Sequence, residues 1–453
     1  MQFELTRKFL EDIQEVISNN NAVAAKEMIA DLHAADIADI YEELSMDEAK
    51  FLYQLLDSET AADVLTELED EDRERFLEAL SPAEIAKELI DHMDSDDAAD
   101  IIGDLPDHKQ KDILLNLKDL DQAGDIADLL NYDEDTAGGL MAKELIKVNI
   151  NWSLLTCIRE MRKQAGDIDE IYYVYVVDDE EKLKGTLSLK KLLLAGDKDK
   201  LANITNYDVI SVKADTSSED VAHIMDKYDL VALPVIDAFD RLIGRITIDD
   251  VVDVIREEAD KDYQLMSGIS EDVEPTDSVW ILTRARLPWL LVGLIGGILG
   301  AQVMSVFEAQ LAAHAAMAFF IPLIAAMGGN VGVQSSAIVV QGLANNTIGL
   351  ESTFRKIMKE IAVAMLNGIT LATIIFIYNF FFSDSLALTF SVSVALFIVI
   401  IFASTFGTFV PLALNKMKID PALATGPFIT TVNDILGLFI YLSIGKLFYS
   451  LML

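Results

Sequence analysis

Residues 421–448 read PALATGPFITTVNDILGLFIYLSIGKLF, an apolar segment interrupted by a single carboxylate, Asp434, before Lys446 near its end. About 20 apolar residues cross a bilayer, and an ionisable side chain at that depth costs at least ~3 kcal/mol on insertion scales. A lone acid in such a segment therefore points to a cation path. Gly426, Pro427, Thr430, Thr431 and Asn433 precede it. If the segment is helical throughout, Pro427 has no N–H for the carbonyl of Leu423, four residues back. Freed carbonyls and hydroxyls beside a carboxylate make an oxygen-rich setting suited to a hard cation.

Working outward, four uncharged stretches accompany this one, at 287–307, 309–350, 361–383 and 385–415. Five spans is the simplest count, with 309–350 long enough for a span plus buried or re-entrant structure. Arg284 and Arg286 precede the first span, Arg355, Lys356 and Lys359 follow the second, and Lys416 and Lys418 follow the fourth. The loops near Glu308 and Asp384 carry no Lys or Arg. Basic residues collect on the cytoplasmic side, so the alternation predicts a cytoplasmic N-terminal half and an external C-terminus in a multi-pass cell-membrane protein. Lys446 is the exception. Within 321–346, IPLIAAMGGNVGVQSSAIVVQGLANN, Gly328, Gly329 and Gly332 allow close helix approach. Asn330 and Gln334, four apart and on one helix face, offer amide oxygens that can order a cation's water shell.

The charge is unevenly spread. The 453-residue chain has 75 acids and 35 bases, net −40, but residues 276–453 hold only seven acids and eight bases, leaving −41 on residues 1–275. So acidic a half argues against nucleic acid and anionic lipid headgroups, and favours cations. A single cysteine, Cys157, excludes an internal disulfide and fits a reducing compartment. The opening MQFELTRKFLEDIQEV is amphipathic and charged and does not read as a cleavable signal.

Within the acidic half, HAADIADIYEEL, TAADVLTEL, DDAADIIGDL and QAGDIADLL share a small-small-Asp-apolar core around Asp36, Asp63, Asp100 and Asp125. The irregular steps of 27, 37 and 25 residues predict an all-α superhelical domain rather than a strict solenoid. A cleaner repeat follows: VVDDEEKLKGTLSLKKLL aligns without gaps on VIDAFDRLIGRITIDDVV, with Asp178 on Asp237, Gly185 on Gly244 and Ser188 on Thr247, each 59 apart. Each copy predicts strand, turn, strand, helix. The repeat resembles a tandem pair of CBS domains, an α/β module that often binds adenine nucleotides such as ATP. By that resemblance Thr247 and Asp250 fit a phosphate and ribose pair, whereas the first copy has Ser188 with Lys191 in the acid's place. The charged segment DVIREEADKDYQLMSGISEDVE then predicts a stiff connecting helix.

These parts together resemble the MgtE family of magnesium channels and transporters, most closely through IYYVYVVDD, YDLVALPVID, GRITIDDVVDV, GGNVGVQS and DPALATGPFITTVNDILGLFIY. The implied layout is multidomain: an acidic helical N domain (1–132), tandem CBS domains (133–252), a connecting or plug helix (253–275) and a five-helix transmembrane domain (276–453). The resemblance implies a homodimer in the lipid bilayer that imports Mg²⁺ through a pore along the subunit interface, with Asp434 facing its twin and Asn330 and Thr430 flanking it. It implies closure by cytoplasmic Mg²⁺, with Asp63, Asp96 and Asp100 sharing ions with Glu219, Asp229, Asp250 and Asp253. Glu258, Asp262 and Asp420 match further ion positions, and Lys261 replaces a family acid. A cation exchanger coupled to Na⁺ or H⁺, or a membrane sensor without transport, would use the same residues. The residues do not suggest an enzyme: five His occur and no nucleophile–base motif is present.

Overall fold

The structure is a computed structural model, and it describes residues 3–68, 70–78, 80–168, 171–196, 200–270, 273, 277–344 and 353–452. The expected boundary at 275/276 and the far end of the 309–350 stretch lie outside the described residues. Two compact units form, Met1–Arg256 and Glu257–Leu453.

The first unit opens with short helices from Arg7–Ser18 to Leu120–Leu129. All four copies of the small-small-Asp motif are helical, on Ala34–Glu42, Ser58–Thr66, Ser95–Gly103 (here α1) and Leu120–Leu129. The residue after each aspartate is an anchor: Ile37, Val64, Ile101 and Ile126 are all at most 1% exposed. Neighbours on a helix are about 100° apart, so burying the apolar residue pushes the preceding aspartate toward the rim. Asp36 bonds the His33 N–H of its own helix cap, at 3.3 Å. Asp100, by contrast, belongs to a cluster of acids described below.

The two 59-residue copies fold alike. Strands β1 (Ile146–Asn149), β2 (Val174–Val177) and β3 (Leu183–Leu187) form one sheet; β4 (Val212–Lys213), β5 (Ala232–Ile236) and β6 (Leu242–Thr247) form the other. In each, the first pair is parallel and the second antiparallel. The expected strand–turn–strand–helix is present, and each copy adds an earlier strand and a crossover helix, Leu154–Gln164 or Ser218–Lys227, as a parallel pair requires. The aligned aspartates make the turns. Asp178 Oδ1 accepts the N–H groups of Glu180 and Lys182, and Asp237 Oδ1 those of Phe239 and Arg241, all within 2.8–3.0 Å. Glu181 and Asp240, 59 apart, share a φ near +64°. The two turns pair with each other through Leu183 N–H to Asp240 O and Leu242 N–H to Glu181 O.

Helix α2 (Ile248–Ser267) leads from the second copy toward the membrane segments. Among the described residues, five helices are long and apolar enough to cross a bilayer, within Val279–Val306 (α3), Ile321–Ala344 (α4), Thr353–Phe382 (α5), Leu386–Lys416 (α6) and Gly426–Met452 (α7). The long 309–350 stretch resolves into a short helix, Glu308–Ala313, a tight turn over Ala315–Phe320, and α4. The third helix begins earlier than its uncharged core and carries Arg355, Lys356 and Lys359 in its first turns, where long cationic side chains can reach a headgroup layer. Helix α6 forms the centre, with 56% of its most apolar window buried against 6% for α3. Leu290, Leu294 and Ile298 on α3 and Leu366, Ile369 and Phe381 on α5 stay exposed. Apolar exposure on that scale suits lipid or another subunit.

Candidate metal centres

In the second unit, Asp434 stands on α7 and faces a cavity of about 850 Å³ whose wall includes Gly293, Gly296, Gly297, Thr430 and Thr431. Glycines bring the carboxylate close to its neighbours. A Cβ at Gly332 of α4 would overlap the Asn433 amide, so only glycine permits this approach of α7. A Cβ at Gly329 would lie 3.8 Å from Asp434 Oδ1. Thr430, one turn before Asp434 and also on the cavity wall, spends its hydroxyl proton on the Gly426 carbonyl at 2.6 Å, which leaves its oxygen free to accept.

Two expectations change at this site. Asn330 and Gln334 share a face as expected, but both are exposed and neither lines the cavity; α4 meets Asp434 through Gly329 instead. Pro427 does not interrupt the helix interior. Helix α7 begins at Gly426, so Pro427 sits in its first turn, where a backbone N–H has no helical partner to lose. The segment before it is a separate tight turn, Pro421–Ala424, capped by Asp420, whose Oδ1 accepts the Ala422 N–H at 2.7 Å. Gly426 has φ +45°, and a Cβ there would collide with the Met266 carbonyl. The end of α2 thus rests directly on the start of the helix that carries Asp434. Glu258 and Asp262 lie on this part of α2. Glu258 Oε1 accepts from Lys261 Nζ at 3.2 Å.

In the first unit, a denser centre forms at the start of α1. Oxygens of Asp94, Asp96 and Glu144 lie within 4.8 Å of one another. Asp97, Asp100 and Asp250 adjoin them electrostatically, with Arg73 as an opposing charge. Ser95 locks the arrangement: its hydroxyl donates to Glu144 Oε2 at 2.8 Å and accepts the Lys143 N–H at 2.9 Å. Asp250 Oδ2 accepts both the N–H and the hydroxyl of Thr247, at 3.1 and 2.8 Å, which caps α2. The aligned Ser188 of the first copy instead accepts the backbone N–H of Lys191, so the first copy lacks the carboxylate cap that Asp250 gives the second.

Crowding raises these acids. Asp97 and Asp100 are each pushed up to about 7, first by desolvation and then by Asp250 for the one and Asp97 for the other. Asp96 and Asp250 are raised too, again first by desolvation. Folded-state values above those of the unfolded chain mean that the folded state holds protons the unfolded state releases. The stability these groups contribute is complete below about pH 4 and is lost as pH rises through about 7. Without divalent cations, hydrogen exchange from α1, corrected for intrinsic rates, is therefore expected to be faster at about pH 8 than at about pH 5. Equal protection at both pH values without metal would contradict this.

Of the expected residues, the structure brings Asp96, Asp100 and Asp250 together. Asp63, Glu219, Asp229 and Asp253 are exposed. Sequence reasoning missed Asp94, Asp97 and Glu144. The run DHMDSDDAAD at 91–100 signalled the first two; nothing local signalled Glu144, brought in by the fold from 48 residues beyond Asp96.

Known proteins resemble the chain along its length. A family model described as the MgtE intracellular N domain matches residues 32–135, the CBS domain matches 137–198 and 201–257, and MgtE, a divalent cation transporter, matches 321–444. A magnesium transporter MgtE of Thermus thermophilus is 32% identical over 450 residues, 98% of this chain and 99% of that one. A magnesium transporter MgtE of Bacillus subtilis is 33% identical over 320 residues, 71% of each. The solved cytosolic domain of the Mg²⁺ channel MgtE in complex with ATP is 34% identical, covering 54% of this chain and 99% of that one, with a TM-score of 0.50.

Proposed function

The chain belongs to the MgtE family of divalent cation transporters, and from that premise we propose that it conducts Mg²⁺ across the cell membrane and is closed by Mg²⁺ on the cytoplasmic side. The observation that carries the conduction reading is Asp434, a carboxylate at membrane depth on the wall of a glycine-lined cavity. In a homodimer two such walls face each other and two carboxylates hold one ion. Mg²⁺ keeps its water tightly and prefers octahedral oxygen. Two carboxylates gripping it through that water neutralise it without stripping it, and a monovalent ion is held less firmly. The Arg and Lys alternation of the loops supports a cytoplasmic first unit and an external C-terminus.

The closing reading rests on the acids around Asp96 and Asp250. Like charges at 4 Å repel by ~4 kcal/mol at an effective dielectric of 20. Divalent ions remove that repulsion, let the helical and CBS parts pack, and shift the population toward the state that binds them better. The seat of Gly426 on Met266 gives α2 a direct hold on α7. Nucleotide at Thr247 and Asp250 has weaker support. Both Thr247 donors are committed to Asp250, and that carboxylate stands among acids that repel a triphosphate.

The test is Mg²⁺ uptake into proteoliposomes with Na⁺ and H⁺ equal on both sides. Uptake down the Mg²⁺ gradient alone, with single-channel currents, is expected. Strict dependence on a second gradient would identify an exchanger, and no uptake under any gradient a sensor.

A further inference from the structure

We propose that Glu360 is a positioning residue for ion conduction: it fastens α4, the helix against which the Asp434 helix is seated. The proposal rests on the transport reading above and adds to it a residue outside the cavity.

Glu360 is the second acid within the apolar helices and does not line the cavity around Asp434. Its Oε1 accepts two hydroxyl protons, from Ser335 at 2.7 Å and Ser404 at 2.8 Å, and the two hydroxyl oxygens are 3.1 Å apart. The three residues sit on three different helices, α5, α4 and α6. Ser335 and Ser404 are 4% and 1% exposed, so neither can turn to water if the carboxylate is lost. One oxygen of the half-buried Glu360 thus ties three helices through two buried hydroxyls, and hydrogen bonds to a carboxylate are the stronger kind.

The fastening matters because the next contact is made by shape. Gly332, one turn before Ser336 on α4, receives the Asn433 side chain on one side and the backbone at Gly407 of α6 on the other. Asn433 is 0% exposed, and neither end of its amide has a hydrogen-bond partner among the described residues. No directional bond from Asn433 holds α7 in register there, so its seat depends on where the α4 backbone stands. Asp434 is the next residue. A shift of α4 therefore becomes a shift of the pore carboxylate.

The experiment uses the full chain in proteoliposomes, with Mg²⁺ and Ca²⁺ uptake measured for Glu360→Ala, Glu360→Gln and the double variant Ser335→Ala/Ser404→Ala. Losing two half-buried hydrogen bonds to a carboxylate, each worth about a factor of ten, is expected to lower Mg²⁺ uptake at least ~10-fold in Glu360→Ala and to weaken discrimination against Ca²⁺. Glu360→Gln keeps an oxygen acceptor and is expected to stay within ~3-fold of wild type. The double serine variant should match Glu360→Ala, and combining all three changes should add nothing, since one unit is lost once. Heat unfolding in detergent gives a readout independent of transport: the midpoint falls for Glu360→Ala and not for Glu360→Gln. If Gln is as damaging as Ala, the charge acts on the ion and the positioning role is wrong. Unchanged uptake and unfolding in Glu360→Ala overturn it as well. If the wild type moves no Mg²⁺, the transport reading fails, and the unfolding comparison still decides the fastening.

Discussion

Asp434→Ala is expected to lower Mg²⁺ uptake at least ~100-fold at low Mg²⁺ while the protein still folds and inserts. A unit charge pair at 4 Å is worth ~4 kcal/mol at an effective dielectric of 20, close to three decades in occupancy. Asp434 is exposed on the cavity wall of the protomer, so alanine leaves no packed void. Its neighbours α4 and α3 meet α7 at Gly332 and Gly296, through Asn433 and Thr431, and those contacts survive. Asp434→Asn tests charge against shape: it should lose nearly as much uptake as alanine. Near-normal uptake in either variant removes Asp434 from the ion path.

Neutralising the acid centre is expected to have two effects of opposite sign. Asp96→Asn with Asp250→Asn removes the two carboxylates whose mutual repulsion is the largest charge–charge cause acting on Asp96. Without Mg²⁺ the first unit should become more resistant to protease, because a repulsion of a few kcal/mol is relieved (~4 at 4 Å). With Mg²⁺ it should gain little further resistance, and the Mg²⁺ concentration that closes the channel should rise at least ~10-fold. A structural role alone predicts lower resistance in both conditions. A variant that keeps the wild-type Mg²⁺ response would remove this centre from the regulation.

The limits of sequence reading are specific. Helix existence was legible along the apolar stretches because hydropathy is a sum over neighbours in the chain. Helix ends were not: α5 starts among Arg355, Lys356 and Lys359, and α7 starts at Gly426, within a stretch of uniform hydropathy. Only backbone geometry separates the Asp420-capped turn from the helix after it. The repeat was legible as 59-residue pairs of Asp, Gly and Ser/Thr, and those pairs do make equivalent turns and helix starts. Their helix starts diverge at Asp250 against Lys191, which sequence alignment exposed and the Thr247 hydrogen bonds explain.

Asp434 as an anomalous membrane carboxylate, the concentration of negative charge ahead of residue 276, and the duplicated strand–turn–strand were all readable from residue type and period. Those properties belong to a residue and its neighbours along the chain. Which helix face meets which could not be read that way. Asn330 was expected to flank Asp434; within the protomer it is Gly329 of α4 that comes close to the carboxylate, because two helices approach closest where one lacks a side chain. Glu144 joins Asp96, and Glu360 joins Ser335 and Ser404, across 48, 25 and 44 residues. Such meetings are set by packing between segments, and no local pattern encodes the distance between them.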